Sequence, residues 1–178
     1  DIRLIEAATL ARRLGLKYLN PDAAKLLRDK FSVRQRLQEH GITQPSFALA
    51  TSNEALKEAV HHIGLPVLIK PSDGYGSQNI VILEFEDDLA PWMSPLDDML
   101  PSRSDYGLGV KANDRLLVEQ FMSGVVIGCD TLTRQGEHIL LGVNEKLLFD
   151  PPSFAIRGGC FTPNHGQFKS IETYVFAL

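Results

Sequence analysis

The chain has 178 residues and a formal net charge of −4, with 44% hydrophobic and 22% charged residues, a composition typical of a folded protein. The acidic balance argues against nucleic acid as the main partner, and the longest apolar runs are far too short to cross a membrane. Because the two cysteines, Cys129 and Cys160, show no zinc-like or disulfide-scaffold spacing, we expect a soluble, cytoplasmic protein with reduced thiols.

The first third of the chain is predicted to be helical. Apolar residues at close to helical spacing predict an amphipathic helix over 2–14. Asn20 as N-cap and Pro21 at the first helical position predict a second helix that runs to Gly41. Lys30 lies within this second helix, and taken alone it is interpreted as a solvated helix lysine.

A short strand and a further helix come next. The strand is predicted over 46–50. Thr51 and Glu54 fit the capping box, in which each side chain bonds a backbone N–H at the helix start. This helix is expected to end at Ile63, with Gly64 as its C-terminal cap.

The segment 66–83 is the most informative part of the sequence. An apolar, β-branched run over 67–69 predicts a buried strand that ends at Lys70, and a second strand begins at Ile80. The loop between them, 72–77, contains two glycines and can turn several N–H groups toward phosphate oxygens. The alternative interpretation is an ordinary glycine-containing hairpin with a surface lysine.

The second half of the chain is predicted to be mostly extended. Residues 87–109 are rich in proline, aspartate, serine and glycine, which favours a connector between two lobes with a short helical turn at 95–100. We expect the stretch 147–163 to be irregular and the residues from Gln167 onward to begin a helix. Between these stretches we predict an antiparallel meander of three strands, over 115–122, 125–133 and 138–144.

Three segments of the chain combine into a recognisable pattern: Asp29-Lys30 with the following 41–47, the strand 64–71 with its glycine loop, and 117–124. Together they resemble the ATP-grasp superfamily, and within it the carboxylate-amine ligases of the L-amino-acid ligase and carbamoyl-phosphate-synthase-like branch. The resemblance implies an α+β fold in which two lobes hold ATP between them, here truncated at both ends. It assigns 1–19 to the tail of a preceding domain, 20–110 to a lobe with the lid hairpin, and 111–178 to an incomplete second lobe.

The resemblance also implies roles for individual residues. Lys30 and Lys70 would contact the nucleotide phosphates, and the glycine loop would close over them as a lid. Glu119 would accept a hydrogen bond from the adenine amine while backbone groups of 120–122 meet the adenine edge; its alternative is an ordinary exposed strand residue. The implied nucleotide-binding residues are Lys30, Lys70, Ser72, Gly74, Gly76, Ser77, Glu119, Gln120, Phe121 and Met122.

Two features depart from the family pattern. Many relatives bind the ribose with a glutamate two positions after a Ser-Gly turn, and here that position is Val126, whose side chain cannot accept a hydrogen bond. The acidic and asparagine ligands for magnesium are expected beyond residue 178, so no metal ligand is predicted within the sequence.

The resemblance implies an ATP-dependent ligase that phosphorylates a substrate carboxylate to an acyl phosphate, which an amine then attacks to form an amide or peptide bond. ATP and Mg²⁺ are the implied cofactors, and a small-molecule carboxylate and an amine are the implied partners. Arg157 is the candidate catalytic residue for gripping the carboxylate or acyl phosphate, because its planar fork suits those oxygens; its alternative is a solvated loop arginine. Homodimer formation is common in the family, although no stripe here is apolar enough to predict an interface.

Two other functions stay open at this point. One is a degenerate nucleotide-binding module without catalysis, which the valine at position 126 would suit. The other is a biotin-carboxylase-like enzyme that activates bicarbonate.

Overall fold

The computed structural model describes residues 2–77, 79–85, 114–150, 155–163 and 166–177. The chain divides into two compact units, Asp1–Phe121 and Met122–Leu178. This division falls later in the chain than the boundary expected after residue 110. The predicted connector at 87–109, with its helical turn, lies outside the described residues, and the assignment of 1–19 to a preceding domain stays a prediction.

The first unit begins with three helices, α1 (Leu4–Arg13), α2 (Pro21–Arg28) and α3 (Lys30–Glu39). The prediction of one continuous helix from Pro21 to Gly41 is wrong, because Asp29 has an extended backbone with φ −108° and ψ 106°. Its carboxylate accepts hydrogen bonds from the Phe31 N–H and the Ser32 hydroxyl, both at 3.1 Å. Asp29 thus acts as the N-cap that starts α3, an arrangement that competes well with continued helix.

A fourth helix, α4 (Asn53–Ile63), follows the first strand. Its N-cap is Ser52 rather than the predicted Thr51, since the Ser52 hydroxyl accepts a hydrogen bond from the Ala55 N–H at 3.2 Å. The helix ends at Ile63 with Gly64 as its C-cap, as predicted, and Gly64 has a positive φ of 81° that suits glycine.

The sheet of the first unit has four antiparallel strands in the order β1-β4-β2-β3, namely β1 (Phe47–Ala50), β2 (Val67–Pro71), β3 (Val81–Leu83) and β4 (Leu116–Gln120). The predicted hairpin across the glycine loop is confirmed by the pairing of β2 with β3. The strand β4 was expected in the meander of the second lobe. That expectation is wrong, because β4 is paired on both sides within this sheet.

The core of the first unit lies between α4 and this sheet. Burying each large aliphatic side chain of this kind contributes about 1.5–3 kcal/mol. The fully buried members include Leu56 from α4 and three strand residues, Val67, Leu83 and Val118.

The second unit is a meander followed by a helix. Its strands β5 (Ile127–Arg134), β6 (Glu137–Leu148) and β7 (Ile156–Thr162) pair in the order β5-β6-β7, and α5 (Phe168–Ala177) follows as predicted. The stretch expected to be irregular therefore contains a strand. Its glycines and prolines favoured a loop, but pairing with β6 holds the chain extended.

Both cysteines are free thiols, and burial raises the pKa of Cys129, with a further contribution from Asp130. Among the described helices, none is long and apolar enough to cross a bilayer.

Candidate functional site

A cavity of about 220 Å³ lies in the first unit where β2 passes into the glycine loop. The two lysines that line it come from different elements, α3 and β2. They share the cavity with both glycines of the loop and with Ser77. The complete lining is Lys30, Lys70, Pro71, Gly74, Tyr75, Gly76, Ser77 and Ile80.

Backbone hydrogen bonds fix the position of Lys30. Its N–H donates to the Ser72 carbonyl at 2.8 Å, and the Ser72 N–H donates to the Arg115 carbonyl at 3.0 Å. The Arg115 guanidinium also binds the Asp29 carboxylate at 2.8 Å. The start of α3, the start of the loop and the start of β4 are thereby tied together. At the other end of its side chain, the Lys30 ammonium donates to the Gly74 carbonyl.

The loop separates into an anchored start and a part that faces the cavity. Ser72 is fully buried and does not line the cavity, so the structure does not bring it together with the other predicted loop residues. Gly76 and Ser77 both have left-handed backbones, with φ of 63° and 58°. Glycine adopts this conformation without steric cost, whereas a serine adopts it less readily. Closure of the loop as a lid stays a prediction.

The cavity is electropositive. Burial lowers the pKa of Lys30, the positive charges of Lys70 and Arg28 lower it further, and Asp73 and Glu119 partly oppose the shift. An approaching anion favours the charged form of Lys30 and so opposes both the desolvation and the repulsion. A polyanion such as a phosphate chain therefore suits the cavity.

Glu119 is only 4% exposed, so its interpretation as an exposed strand residue is wrong. The Arg34 Nε donates to the Glu119 Oε1 at 2.5 Å, and the Lys70 ammonium contacts the other oxygen, Oε2. Both carboxylate oxygens are thus engaged by cations, although a carboxylate offers further acceptor positions to a nucleobase amine. Its proposed contact with adenine stays a prediction.

Arg34 was not predicted as part of the site. It lies on α3, a helix without buried residues, and nothing in the sequence pattern distinguishes it from the neighbouring Arg36. The need of a buried carboxylate for a positive partner is the signal that could have pointed to an arginine, but it does not say which one.

The end of β4 restricts how residues 120–122 can meet a nucleobase. The Gln120 N–H donates to the Ser46 carbonyl at 2.9 Å, and the Phe121 N–H donates to the Pro66 carbonyl at 3.0 Å. These two backbone donors are already used within the first unit, so any backbone contact from Gln120 or Phe121 to a base edge must come from their carbonyl groups. Met122 is 63% exposed.

Two predicted features lie in the second unit. Arg157 is exposed on strand β7 rather than in a loop, and it is the extra residue of a bulge between Ile156, which pairs with Leu148, and Gly158, which pairs with Leu147. Bulges of this kind redirect a side chain. Val126, at the position expected for a ribose-binding glutamate, is 44% exposed.

The ATP-grasp domain family matches residues 63–165 of this chain. The carbamoyl phosphate synthase large chain of Rubrobacter xylanophilus is 26% identical over 171 residues, which are 94% of this chain and 15% of the relative. The corresponding protein of Saccharolobus islandicus is 30% identical over 128 residues, which are 72% of this chain and 12% of the relative. The chain therefore spans only a small part of the curated relatives that it matches.

Solved structures show the same fold at low sequence identity. The L-amino acid ligase from Bacillus licheniformis aligns with a TM-score of 0.70 and 19% identity, over 98% of this chain and 38% of that protein. The biotin carboxylase domain of the Hydrogenobacter thermophilus 2-oxoglutarate carboxylase, solved as a dimer with MgADP, ADP and bicarbonate, aligns with a TM-score of 0.75 and 19% identity, over 99% and 39% of the two chains.

Proposed function

Since this chain belongs to the ATP-grasp domain family, we propose that it binds ATP with the phosphates in the cavity between Lys30, Lys70 and the glycine loop. The observation that carries the proposal is the convergence of these two lysines on one small cavity beside Gly74 and Gly76. Lysine ammonium groups and glycine backbone N–H groups are the donors that proteins commonly use for phosphate. The Gly74 N–H already donates to the Pro71 carbonyl at 3.2 Å, so the proposal depends on the two lysines and on Gly76.

The proposed reaction is the activation of a carboxylate. A substrate carboxylate oxygen attacks the γ-phosphorus of ATP, the bond from that phosphorus to the β–γ bridging oxygen breaks, and ADP leaves. An amine then attacks the carbonyl carbon of the acyl phosphate, loses a proton, and expels inorganic phosphate. Lys30 and Lys70 would offset the charge on the phosphate oxygens, and the loop would exclude water, so positioning and electrostatics account for the chemistry.

The lowered pKa of Lys30 supports this assignment, because burial and the positive charges of Lys70 and Arg28 disfavour the charged ammonium form, which a bound polyanion would favour. Within the described ranges, no group of three or more histidine, cysteine, aspartate or glutamate residues is arranged to hold a metal ion. Mg²⁺ stays a predicted cofactor of the proposed reaction.

Calorimetric titration of the protein with ATP, with and without Mg²⁺, tests the binding. Lys70→Ala should weaken ATP binding at least tenfold, about 1.4 kcal/mol. Lys57→Ala removes an exposed lysine on α4, away from the cavity, and should leave the affinity unchanged. No binding by the wild type, or equal effects of the two substitutions, would refute the proposal.

Val126 favours a second candidate, a nucleotide-binding module without turnover, because the position expected to hold the ribose carries an apolar side chain. The two candidates are separated by measuring ADP release with a panel of carboxylates and amines. Bicarbonate is included as a substrate to test the biotin-carboxylase-like alternative. Hydroxylamine would trap an acyl phosphate as a hydroxamate. ATP binding without substrate-dependent ADP release would favour the module.

A further inference from the structure

The buried carboxylate of Glu119 lies between two cations that reach it from different elements. Arg34 comes from α3, Lys70 comes from β2, and the side chains of Arg34, Lys70 and Glu119 are 24%, 19% and 5% exposed. A carboxylate at this depth is strongly destabilised if it is left without a positive partner. At least one of the two cations must therefore stay in place.

Only one of the two cations also faces the cavity. Lys70 lines it, whereas Arg34 is not among its lining residues. If Lys70 turns toward a bound phosphate, it must share its ammonium group with that phosphate or leave Glu119. Arg34 then remains as the counter-ion of Glu119.

Arg34 is well placed to remain. The Gln44 side chain donates to the Arg34 carbonyl at 2.8 Å, which ties this point of α3 to the segment before β1. The side chains of Arg34, Lys70 and Glu119 are two cations and one anion, so together they carry a net charge of +1. Lys30 adds a further positive charge across the cavity. This excess of positive charge is available to an incoming anion only while Glu119 is neutralised by Arg34.

We propose that Arg34 is a positioning residue for nucleotide binding. It holds Glu119 in place on β4, so that Lys70 can exchange the Glu119 carboxylate for a nucleotide phosphate. The inference rests on the proposed function, because it requires a phosphate in the cavity. Without Arg34, Lys70 would be the remaining described partner of the carboxylate, and the pair would compete with phosphate.

Inorganic tripolyphosphate is the probe for the experiment, because it reports on the phosphate site without any contribution from adenine. Arg34→Gln should weaken tripolyphosphate binding at least tenfold, and Arg34→Lys should restore most of the affinity. Arg36→Gln, two positions along the same helix and 55% exposed, is the matched control and should bind like the wild type.

The decisive measurement repeats Arg34→Gln in a Glu119→Gln background. Once the carboxylate is removed, Lys70 is no longer held by it, so the loss of Arg34 should change the tripolyphosphate affinity less than twofold. This double variant also contains no buried unpaired carboxylate at position 119, which keeps the test valid if Arg34→Gln alone fails to fold.

The outcomes separate the two proposals. If the wild type binds neither ATP nor tripolyphosphate, the proposed function fails and the inference fails with it. If the wild type binds both but Arg34→Gln behaves like Arg36→Gln, or weakens binding equally with and without the Glu119 carboxylate, the role of Arg34 is refuted and the proposed function stands.

Discussion

Replacing Asp29 isolates the interactions that place Lys30 at the cavity. The Asp29 carboxylate caps α3 through the Phe31 N–H and pairs with Arg115 at 2.8 Å. Loss of an N-cap costs about 1 kcal/mol. The Asp29 and Arg115 side chains are 18% and 32% exposed, so the ion pair is partly solvated and contributes about 1 kcal/mol. Asp29→Ala should therefore lower the free energy of unfolding by about 2 kcal/mol.

The variant Asp29→Asn separates the contribution of the helix cap from that of the ion pair. Asparagine caps helices as well as aspartate does, so Asp29→Asn should remove only the charge and cost about 1 kcal/mol. Urea unfolding measures both variants. With a slope of about 2 kcal/mol/M, the midpoint should fall by about 1 M for alanine and about half as much for asparagine.

The control is Asp22→Ala on α2, where the side chain is 76% exposed and lies 3.5 Å from Lys25. An exposed pair of this kind is worth about 0.5 kcal/mol or less. The stabilising role of Asp29 is refuted if Asp29→Ala lowers the free energy of unfolding no more than Asp22→Ala does, or if Asp29→Asn is as unstable as Asp29→Ala.

Two further predictions concern pH and packing. The pKa of Lys30 lies below its ordinary value of 10.5, so between these two pKa values the unfolded chain binds more protons than the folded chain. The stability of the wild type relative to Lys30→Met should therefore rise with pH in that window, as measured by urea unfolding at several pH values. A stability difference that does not change with pH would contradict the lowered pKa. Gly159→Ala should destabilise the second unit by about 1–3 kcal/mol, because its Cβ would lie 2.4 Å from the Asn144 Oδ1 and 3.0 Å from the Glu145 carbonyl oxygen. Gly158→Ala, with no atom within 4 Å of its Cβ, is the matched control, and equal melting temperatures for the two variants would count against this packing.

Local patterns predicted the hairpin of β2 and β3 because all of its determinants are close in sequence. The apolar run over 67–69 and the glycines of the loop specify two strands and the turn between them. The same is true of α4, where only the capping residue differed by one position, since neighbouring Thr51 and Ser52 have similar capping chemistry.

The break at Asp29 shows the limit of such patterns. Helix-favouring residues on both sides masked an N-cap signal, and the extended backbone at Asp29 is supported by Arg115, which immediately precedes β4 and is distant in the sequence. The partners of β4 were missed for a related reason. An apolar run predicts a strand but does not say with which strands it pairs.

The candidate site was only partly accessible to sequence reasoning. The glycine loop suggested a phosphate site from local chemistry, but Lys30 was interpreted as solvated until the family resemblance was considered. Arg34 was missed by both approaches, because its role appears only when α3 and β4 are brought together.

The placement of Glu119 on a strand that is paired on both sides gives the two halves of the site different local stabilities. The amides of β4 face its ladders with β1 and β2, so their exchange requires one of these ladders to open. Gly76 and Ser77 lie outside any ladder, so their amides can exchange with solvent through small local openings. Strand β4, which carries Glu119, is therefore the more stable part of the site, and a bound anion can add protection against hydrogen exchange mainly in the loop.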